Sequence, residues 1–206
     1  MLAYIKGELA SKARGYVVID VGGLGYKILM SDIAIESLGK IGDIVKVHTY
    51  YRVMEDDISI FGFITQEELR LFELLISVSG VGAKTAIAML GAIEPSDFAI
   101  AIISDDINTL KKLPGIGAKT AQRIVLELKD KLKKEQTITE LTTTYEKTVS
   151  IKKAVQKDSK TEEAMTALQV LGYNNKEIEL AMENIDKEKL SLEELIKAGL
   201  KELAKK

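Results

Sequence analysis

Apolar and polar residues alternate along most of the first 63 positions, which predicts β-strands. Segments 16–21 and 26–30 alternate on either side of the glycine-rich run 22–25, a pattern typical of a β-hairpin. Segments 44–53 and 58–63 are rich in β-branched and aromatic residues, which favour strands. Four or five strands with short turns in residues 1–63 predict a small β-barrel.

The hydrophobic period changes at Thr65, where a helical pattern begins. Thr65 and Glu68 have the spacing of a capping box, the side-chain and backbone exchange that starts many helices. Apolar residues then recur at helical spacing, as at Leu69, Phe72, Leu75 and Ile76. Residues 64–135 are therefore predicted to form a helical domain that ends near Lys134.

The rest of the chain is predicted to hold a linker and a small three-helix bundle. Residues 136–157 carry many threonines and few large apolar side chains, which predicts a mobile linker. Within residues 158–206, capping patterns begin at Ser159, Asn174 and Ser191 and indicate three helices. The predicted bundle core comprises Met165, Leu168, Leu171, Ile178, Met182, Leu195 and Ile196.

Composition excludes several classes of protein. The 206 residues are 46% hydrophobic and 29% charged, which is ordinary for a soluble protein, and no apolar run is long enough to span a membrane. The chain has no cysteine, which excludes disulfides and thiolate metal sites and fits a reducing cytoplasm. Its single histidine, His48, cannot form a metal site alone. We expect a cytoplasmic protein with no cofactor and no bound metal.

Charge is segregated along the chain, although the net charge is only −2. Residues 110–134 hold eight basic and two acidic residues, a net charge of +6, whereas residues 161–206 carry −3. A basic stretch in one region is the electrostatic signature of a nucleic-acid-binding site, whatever the total charge of the protein.

One short phrase occurs twice, 35 positions apart, as GVGAKTA at 80–86 and GIGAKTA at 115–121. Each copy follows an apolar helical run and precedes an alanine-rich one, so each is predicted to be a tight turn between two helices. The free N–H groups and the dipole at a helix N-terminus favour an anion, and a lysine beside them adds a positive charge. Such contacts reach phosphates and not base edges, so binding should be independent of DNA sequence. The predicted DNA-binding residues are Gly80, Gly82, Lys84, Thr85, Gly115, Gly117, Lys119, Thr120 and Arg123.

Two other interpretations of the phrase are open. The glycines and alanines could simply let two helices pack closely, although two copies with matching lysine and threonine weaken this interpretation. A nucleotide-binding P-loop fits less well, because that motif has glycine before its lysine and here Ala83 and Ala118 take that place. The second copy lies in the +6 stretch and Lys84 has no basic neighbour nearby in sequence, so the second turn is predicted to carry more of the electrostatic affinity.

These phrases resemble a tandem helix–hairpin–helix motif, and the whole chain resembles the RuvA family, the Holliday-junction-binding subunits of the bacterial branch-migration machine. The resemblance covers nearly all 206 residues, from the first strand to LQVLGY at 168–173. It implies an OB-fold barrel, a helix–hairpin–helix domain and a mobile C-terminal domain. It also implies a homotetramer or octamer that holds a four-way junction open in recombination, repair and the SOS response. The implied partners are the RuvB ATPase and the RuvC nuclease.

A run of three carboxylates, Glu55-Asp56-Asp57, lies between the last two predicted strands. From the sequence alone a solvated turn is the simpler interpretation, because acidic turns are common. The family resemblance implies instead an acidic pin at the junction centre, with Glu55 and Asp56 matching its carboxylates. There the charges would repel DNA backbones from the crossover.

The resemblance also assigns RuvB binding to the C-terminal domain, and we place it on Leu168, Leu171 and Tyr173. Apolar residues in such a pattern most often form a core, so this assignment requires that part of the set is exposed.

Two other functional classes stay open at this point. Helix–hairpin–helix modules also occur in DNA ligases, glycosylases and nucleases, and the three carboxylates could bind Mg²⁺. The sequence offers no evident nucleophile and base, so intrinsic catalysis is not expected. A scaffold that binds any duplex, without preference for junctions, is the second alternative.

Overall fold

The computed structural model describes residues 2–143, 159–183, 185–187 and 189–204, with the backbone alone for 131–143 and 159. The chain divides into two compact units, each built from several segments. The first unit contains the described residues of 1–76, 81–93 and 113–115, and the second contains the other described residues. The division into four domains predicted above is not tested by these units and stays a prediction.

Five strands form a closed barrel in the first unit, in the order β1-β2-β3-β5-β4. The strands are β1 Tyr4–Ala13, β2 Tyr16–Val21, β3 Leu24–Leu29, β4 Ile44–Val53 and β5 Ile58–Phe63. Their alternating apolar residues point into the barrel, where Leu9, Val17 and Ile19 are fully buried. The predicted barrel is confirmed, and a short helix that was not predicted, α1 Asp32–Ser37, lies between β3 and β4.

Helix α2, Gln66–Ile76, covers the barrel with an aromatic contact. The ring of Phe72 lies 4.8 Å from that of Phe63 and 5.2 Å from that of Tyr50, measured between centroids. The hydroxyl of Thr65 accepts a hydrogen bond from the Glu68 N–H, as the sequence predicted. The Glu68 carboxylate accepts a hydrogen bond of 2.9 Å from the N–H of Ile64, the residue before Thr65.

Helix α3, Ala83–Leu90, also belongs to the first unit, whereas the helices that follow it belong to the second. They are α4 Pro95–Ile103, α5 Ile107–Leu110 and α6 Ala118–Thr143. The predicted end of this helical region near Lys134 is wrong, because α6 continues through residues 136–143 of the predicted linker. Neither proline nor glycine interrupts the helix there. Residues 144–158 of that linker lie outside the described residues.

The C-terminal part holds three helices, α7 Ser159–Val170, α8 Asn175–Met182 and α9 Leu192–Leu203. Two of the three predicted capping boxes are confirmed, at Asn174 and Ser191, at the starts of α8 and α9. The third predicted position, Ser159, is the first residue of α7, and its side chain lies outside the described part of the structure. Within the second unit, α7 and α9 pack on each other and both pack on α4. Met165 is only half-buried, whereas the other six residues of the predicted bundle core are buried. Among the residues described, no single helix has the length and apolar composition needed to cross a membrane.

Candidate nucleic-acid interface

Each copy of the repeated phrase forms a tight turn that ends at the N-terminus of a helix. Helix α3 begins at Ala83 with Gly82 as its N-cap, and no side chain caps its first N–H groups. Helix α6 begins at Ala118, directly after Gly117. The first turn of each helix therefore presents backbone N–H groups that have no partner in the helix itself. The residues between the glycines, Val81 and Ile116, are buried and fix each turn to the protein interior.

The two glycines of each turn differ in what the fold requires of them. Gly80 has φ +88° and Gly115 has φ +74°, values that side-chain-bearing residues rarely adopt. Gly82 has φ −89°, and Gly117 is not among the glycines with positive φ. A Cβ added at Gly82 or Gly117 would meet no atom within 4 Å. The fold of this chain therefore favours glycine strongly at the first position of each turn, whereas the second position has room for a side chain.

The lysines predicted to bind phosphate, Lys84 and Lys119, are exposed, and the threonines that follow them are half-buried. In the first unit, the Thr85 methyl lies 3.4 Å from the position that a Cβ of Gly115 would occupy. Thr85 therefore packs against the second phrase, at a distance where a Cβ on Gly115 would make ordinary van der Waals contact with it.

In the second unit, the side chain of Arg123 reaches the residues that begin the first phrase. Arg123 Nη1 donates a hydrogen bond of 3.3 Å to the carbonyl of Ser79 and lies 3.8 Å from the position of a Cβ on Gly80. The first turn therefore has a positive charge beside it that comes from α6. The prediction that the second turn carries more of the electrostatic affinity relied on Lys84 having no basic neighbour in sequence. Because Arg123 lies beside the first turn, that reason no longer holds.

Glu127 completes this contact and was not predicted. Its carboxylate Oε2 accepts a hydrogen bond of 3.2 Å from the Ser79 N–H, and its Oε1 lies 3.8 Å from Arg123 Nε. No short motif could have indicated Glu127, since it lies 48 residues from Ser79. The sequence signal that exists is its i,i+4 spacing from Arg123 on one helix.

The acidic run forms the tip of the hairpin between β4 and β5. Val53 and Ile58 are the last paired residues, and the Met54 N–H donates to the Asp57 carbonyl at 2.8 Å. The side chains of Glu55 and Asp56 are exposed at the end of this tight turn. Within the described part of the chain, no basic side chain forms an ion pair with them.

Asp57 differs from its two acidic neighbours. Its Oδ2 accepts a hydrogen bond of 2.6 Å from the Ser59 hydroxyl, which holds this carboxylate against the side of the hairpin. The described residues contain no group of three or more histidine, cysteine or acidic side chains arranged to hold a metal ion. The turn therefore presents two unpaired negative charges and offers nothing to support the magnesium-nuclease interpretation.

The prediction that Leu168, Leu171 and Tyr173 form an exposed surface for RuvB is wrong, because all three are buried. Their exposed fractions are 0%, 2% and 4%. Leu168 Cδ1 lies 2.7 Å from the position of a Cβ on Gly199, so α7 and α9 approach closely there and enclose it. These residues form the core of the C-terminal bundle, the usual position of such an apolar pattern.

Comparison with known proteins covers the same three regions. Family models match residues 1–62 as RuvA N terminal domain, residues 72–130 as SAM-like helix-hairpin-helix tandem and residues 159–204 as RuvA, C-terminal domain. The first and last of these agree with the barrel and the C-terminal helices, and the middle one spans both turns.

The full chain is also similar to curated relatives. It is 49% identical over 206 residues to the Holliday junction branch migration complex subunit RuvA of Acetivibrio thermocellus, covering 100% of both chains. It is 44% identical over 203 residues to the protein of that name from Ruminiclostridium cellulolyticum, covering 98% of this chain and 100% of the relative. The relative from Lachnospira eligens is 38% identical over 213 residues, with both chains covered in full. On this evidence the chain belongs to the RuvA family.

Proposed function

We propose that the chain is a non-catalytic subunit that binds four-way junction DNA without regard to sequence, holds the junction open and recruits the RuvB ATPase for branch migration. Its relatives are named as the RuvA subunit of the Holliday junction branch migration complex, and their identity extends over the whole chain. In this proposal the two turns bind DNA phosphates independently of base sequence, and the carboxylates of the acidic hairpin repel the DNA backbone.

The single observation that carries the DNA-binding site is the presence of glycine at positions 82 and 117. Neither position has a positive φ and neither would place a Cβ against another atom of this chain. A glycine that the fold does not require is explained by a partner that comes close to the backbone. A phosphate group fits this role, because it would meet the N–H groups at the start of α3 or of α6 with Lys84 or Lys119 alongside.

In this proposal each turn holds one phosphate. The N–H groups at the start of each helix donate to the phosphate oxygens, and the exposed lysine adds a charge that binds any DNA backbone equally well. Thr120 and Thr85 can add hydroxyl donors, and Arg123 supplies a positive charge beside the first turn. Several such contacts in each subunit bind the arms of a junction without reading base sequence.

The acidic hairpin gives the protein its preference for junctions in this proposal. Glu55 and Asp56 have no ion-pair partner among the described residues, so their charge acts on whatever approaches the tip. At the centre of an open junction they would repel the exchanging backbones and keep the strands apart. Because the Debye length is about 10 Å at 0.1 M salt, this repulsion acts only on the nearest phosphates.

A single copy of the chain presents one pair of turns and one acidic hairpin, whereas a four-way junction has four arms. We therefore propose that the working form is a homotetramer, or two tetramers that face each other across the junction. We place the complex in the cytoplasm and include the RuvC nuclease as a further partner. The mass of the complex on a synthetic four-way junction distinguishes one tetramer from two.

RuvB is proposed to bind the C-terminal bundle through surface residues other than its buried core. A chain truncated after Thr143 should bind junctions but fail to stimulate the RuvB ATPase. Full stimulation by the truncated chain would contradict this assignment. Intrinsic catalysis is tested separately by incubating the full chain with junction DNA and Mg²⁺, where we expect no cleavage.

The experiment that tests the proposed DNA site compares alanine at the second and first glycines of each turn. Gly82→Ala and Gly117→Ala should leave the chain folded, with at most the small cost of a poorer N-cap, and weaken junction binding by about tenfold because an added Cβ obstructs the phosphate. Gly80→Ala should instead lower stability, since its φ of +88° costs an alanine about 1–2 kcal/mol. If Gly82→Ala and Gly117→Ala both bind junctions as tightly as the unaltered chain, the phosphate is not held at these turns.

A further inference from the structure

The backbone of Ser79 is held on both of its polar groups by side chains of α6. Its carbonyl accepts from Arg123 Nη1 at 3.3 Å, and its N–H donates to Glu127 Oε2 at 3.2 Å. Arg123 and Glu127 also face each other, with 3.8 Å between Nε and Oε1. Ser79 is the residue directly before Gly80, so this contact restrains the chain where it enters the first turn.

The second copy of the repeated phrase does not have the residues that make this contact in the first copy. The two copies are 35 positions apart, so Pro114 in the second copy is equivalent to Ser79 in the first. In the helix that follows the first copy, the residues equivalent to Arg123 and Glu127 are both alanines, Ala88 and Ala92. Pro114 has no N–H to donate, and its ring fixes its own φ near −65°. The second turn is therefore entered through a residue with a restricted backbone. The first turn lacks a proline, and the two α6 side chains restrain it instead.

We propose that Arg123 and Glu127 are positioning residues that hold the entrance of the first turn in its phosphate-binding geometry. This inference rests on the proposed function, in that the first turn is taken to bind a phosphate of junction DNA. It assigns Glu127, an acidic residue beside a DNA-binding turn, a role that favours DNA binding.

Charge alone predicts the opposite effect of removing Glu127. An anion beside a phosphate-binding turn repels DNA, so its loss should tighten binding and steepen the salt dependence. Loss of the hydrogen bond to Ser79 should instead release the turn and weaken binding. The sign of the change therefore separates the two accounts.

Three variants of Glu127 and one control make the test. Glu127→Gln removes the charge and keeps an oxygen that can accept from Ser79. Glu127→Asp keeps the charge but shortens the side chain by one methylene, so it no longer reaches Ser79. Glu127→Ala removes both the charge and the acceptor. Asp130→Ala removes one acidic charge from an exposed position of the same helix and serves as the control.

The positioning role predicts that Glu127→Ala and Glu127→Asp bind a four-way junction about fivefold more weakly than the unaltered chain, as expected for about 1 kcal/mol from one hydrogen bond. Glu127→Gln and Asp130→Ala should bind as well as the unaltered chain or slightly better. Amide hydrogen exchange at Ser79, measured without DNA, should accelerate in the Ala and Asp variants only. Glu127→Ala binding as tightly as Asp130→Ala, with unchanged exchange at Ser79, would overturn the inference.

The exchange measurement keeps this inference separate from the proposed function. If the unaltered chain did not bind junctions, the proposed function would fail, while accelerated exchange at Ser79 would still report the contact. If junction binding held and exchange at Ser79 were the same in all four variants, the positioning role alone would fail.

Discussion

Lys129 Nζ lies 2.6 Å from Asp105 Oδ2, so one of the bases in the +6 stretch is engaged within the protein. The same ammonium donates to the carbonyl of Ile103, the last residue of α4. Asp105 has φ +56°, an uncommon value for a residue other than glycine. Lys129 therefore stabilises the end of a helix and an irregular turn, and its charge is not free to meet a phosphate.

Lys129→Ala and Lys119→Ala should consequently have different effects. Lys129→Ala should lower the free energy of unfolding by up to about 1 kcal/mol, the usual range for a partly exposed ion pair. It should leave the slope of log K against log[salt] for junction binding unchanged. Lys119→Ala should reduce that slope by about 0.9, the value for one neutralised phosphate, with little change in stability. The measurement is junction binding over a range of salt concentrations, alongside urea unfolding.

The same salt series applies to Lys84→Ala and Arg123→Ala, each of which should also reduce the slope by about one. An unchanged slope for any of these variants removes that residue from the phosphate site. A reduced slope for Lys129→Ala would mean that its ammonium leaves Asp105 when DNA binds.

The acidic hairpin should contribute to the preference for junctions over linear duplex and should not strengthen junction binding itself. Glu55→Gln together with Asp56→Asn removes both unpaired charges and keeps side chains of similar size. Binding to a four-way junction should be unchanged or tighter, and discrimination against linear duplex should fall. The matched control is Asp57→Asn, since Ser59 already holds that carboxylate against the hairpin. Markedly weaker junction binding by the folded double variant is the result that contradicts a repulsive role.

Much of this architecture could be predicted from the sequence because local patterns determine it. Alternation identified the barrel strands, and the repeated phrase identified the two tight turns at the starts of α3 and α6. Contacts between distant segments could not be predicted. The i,i+4 pair of Arg123 and Glu127 is visible in the sequence, but nothing there indicates that Ser79 lies against it.

The C-terminal residues illustrate a second limit of sequence patterns. Periodicity places Leu168 and Leu171 on one helix face, but it does not say whether another helix covers that face. Their burial depends on α9, and the close approach of α7 at Gly199 is a tertiary property. The assignment of these residues to a partner surface was wrong for this reason.

Leu168→Ala should therefore reduce the stability of the C-terminal bundle. The fully buried side chain leaves a cavity when truncated, and such changes usually cost about 2–5 kcal/mol. Leu180→Ala is the control, because that side chain is 51% exposed on the neighbouring helix α8. Circular dichroism during urea unfolding measures both variants. Equal stability of the two variants would contradict the burial of Leu168.

His48 should make stability depend on pH below neutrality. Partial burial and the nearby Lys46 lower its pKa from the ordinary value of 6.5, against the opposing charge of Glu67. Because the folded protein binds the proton less readily than the unfolded chain, this contribution to stability is complete above pH 6.5. It is lost as the pH falls through the lowered pKa of the folded state. Since His48 is the only histidine, its proton NMR signals report the titration directly.

The unaltered chain should lose more stability between pH 7.5 and pH 5 than a His48→Gln variant does, by urea unfolding at both pH values. Two results would contradict a lowered pKa for His48. One is an NMR titration midpoint above 6.5, and the other is an equal loss of stability in the unaltered chain and the His48→Gln variant.

We expect the chain to recognise the shape of a four-way junction. The most direct measurement is the affinity of the full chain for a synthetic four-way junction and for a linear duplex of the same arm sequence, at one stated salt concentration. We predict that the junction binds more tightly by at least about tenfold, or ~1.4 kcal/mol. Equal affinity for both DNAs would identify the chain as a general duplex-binding scaffold and contradict the account.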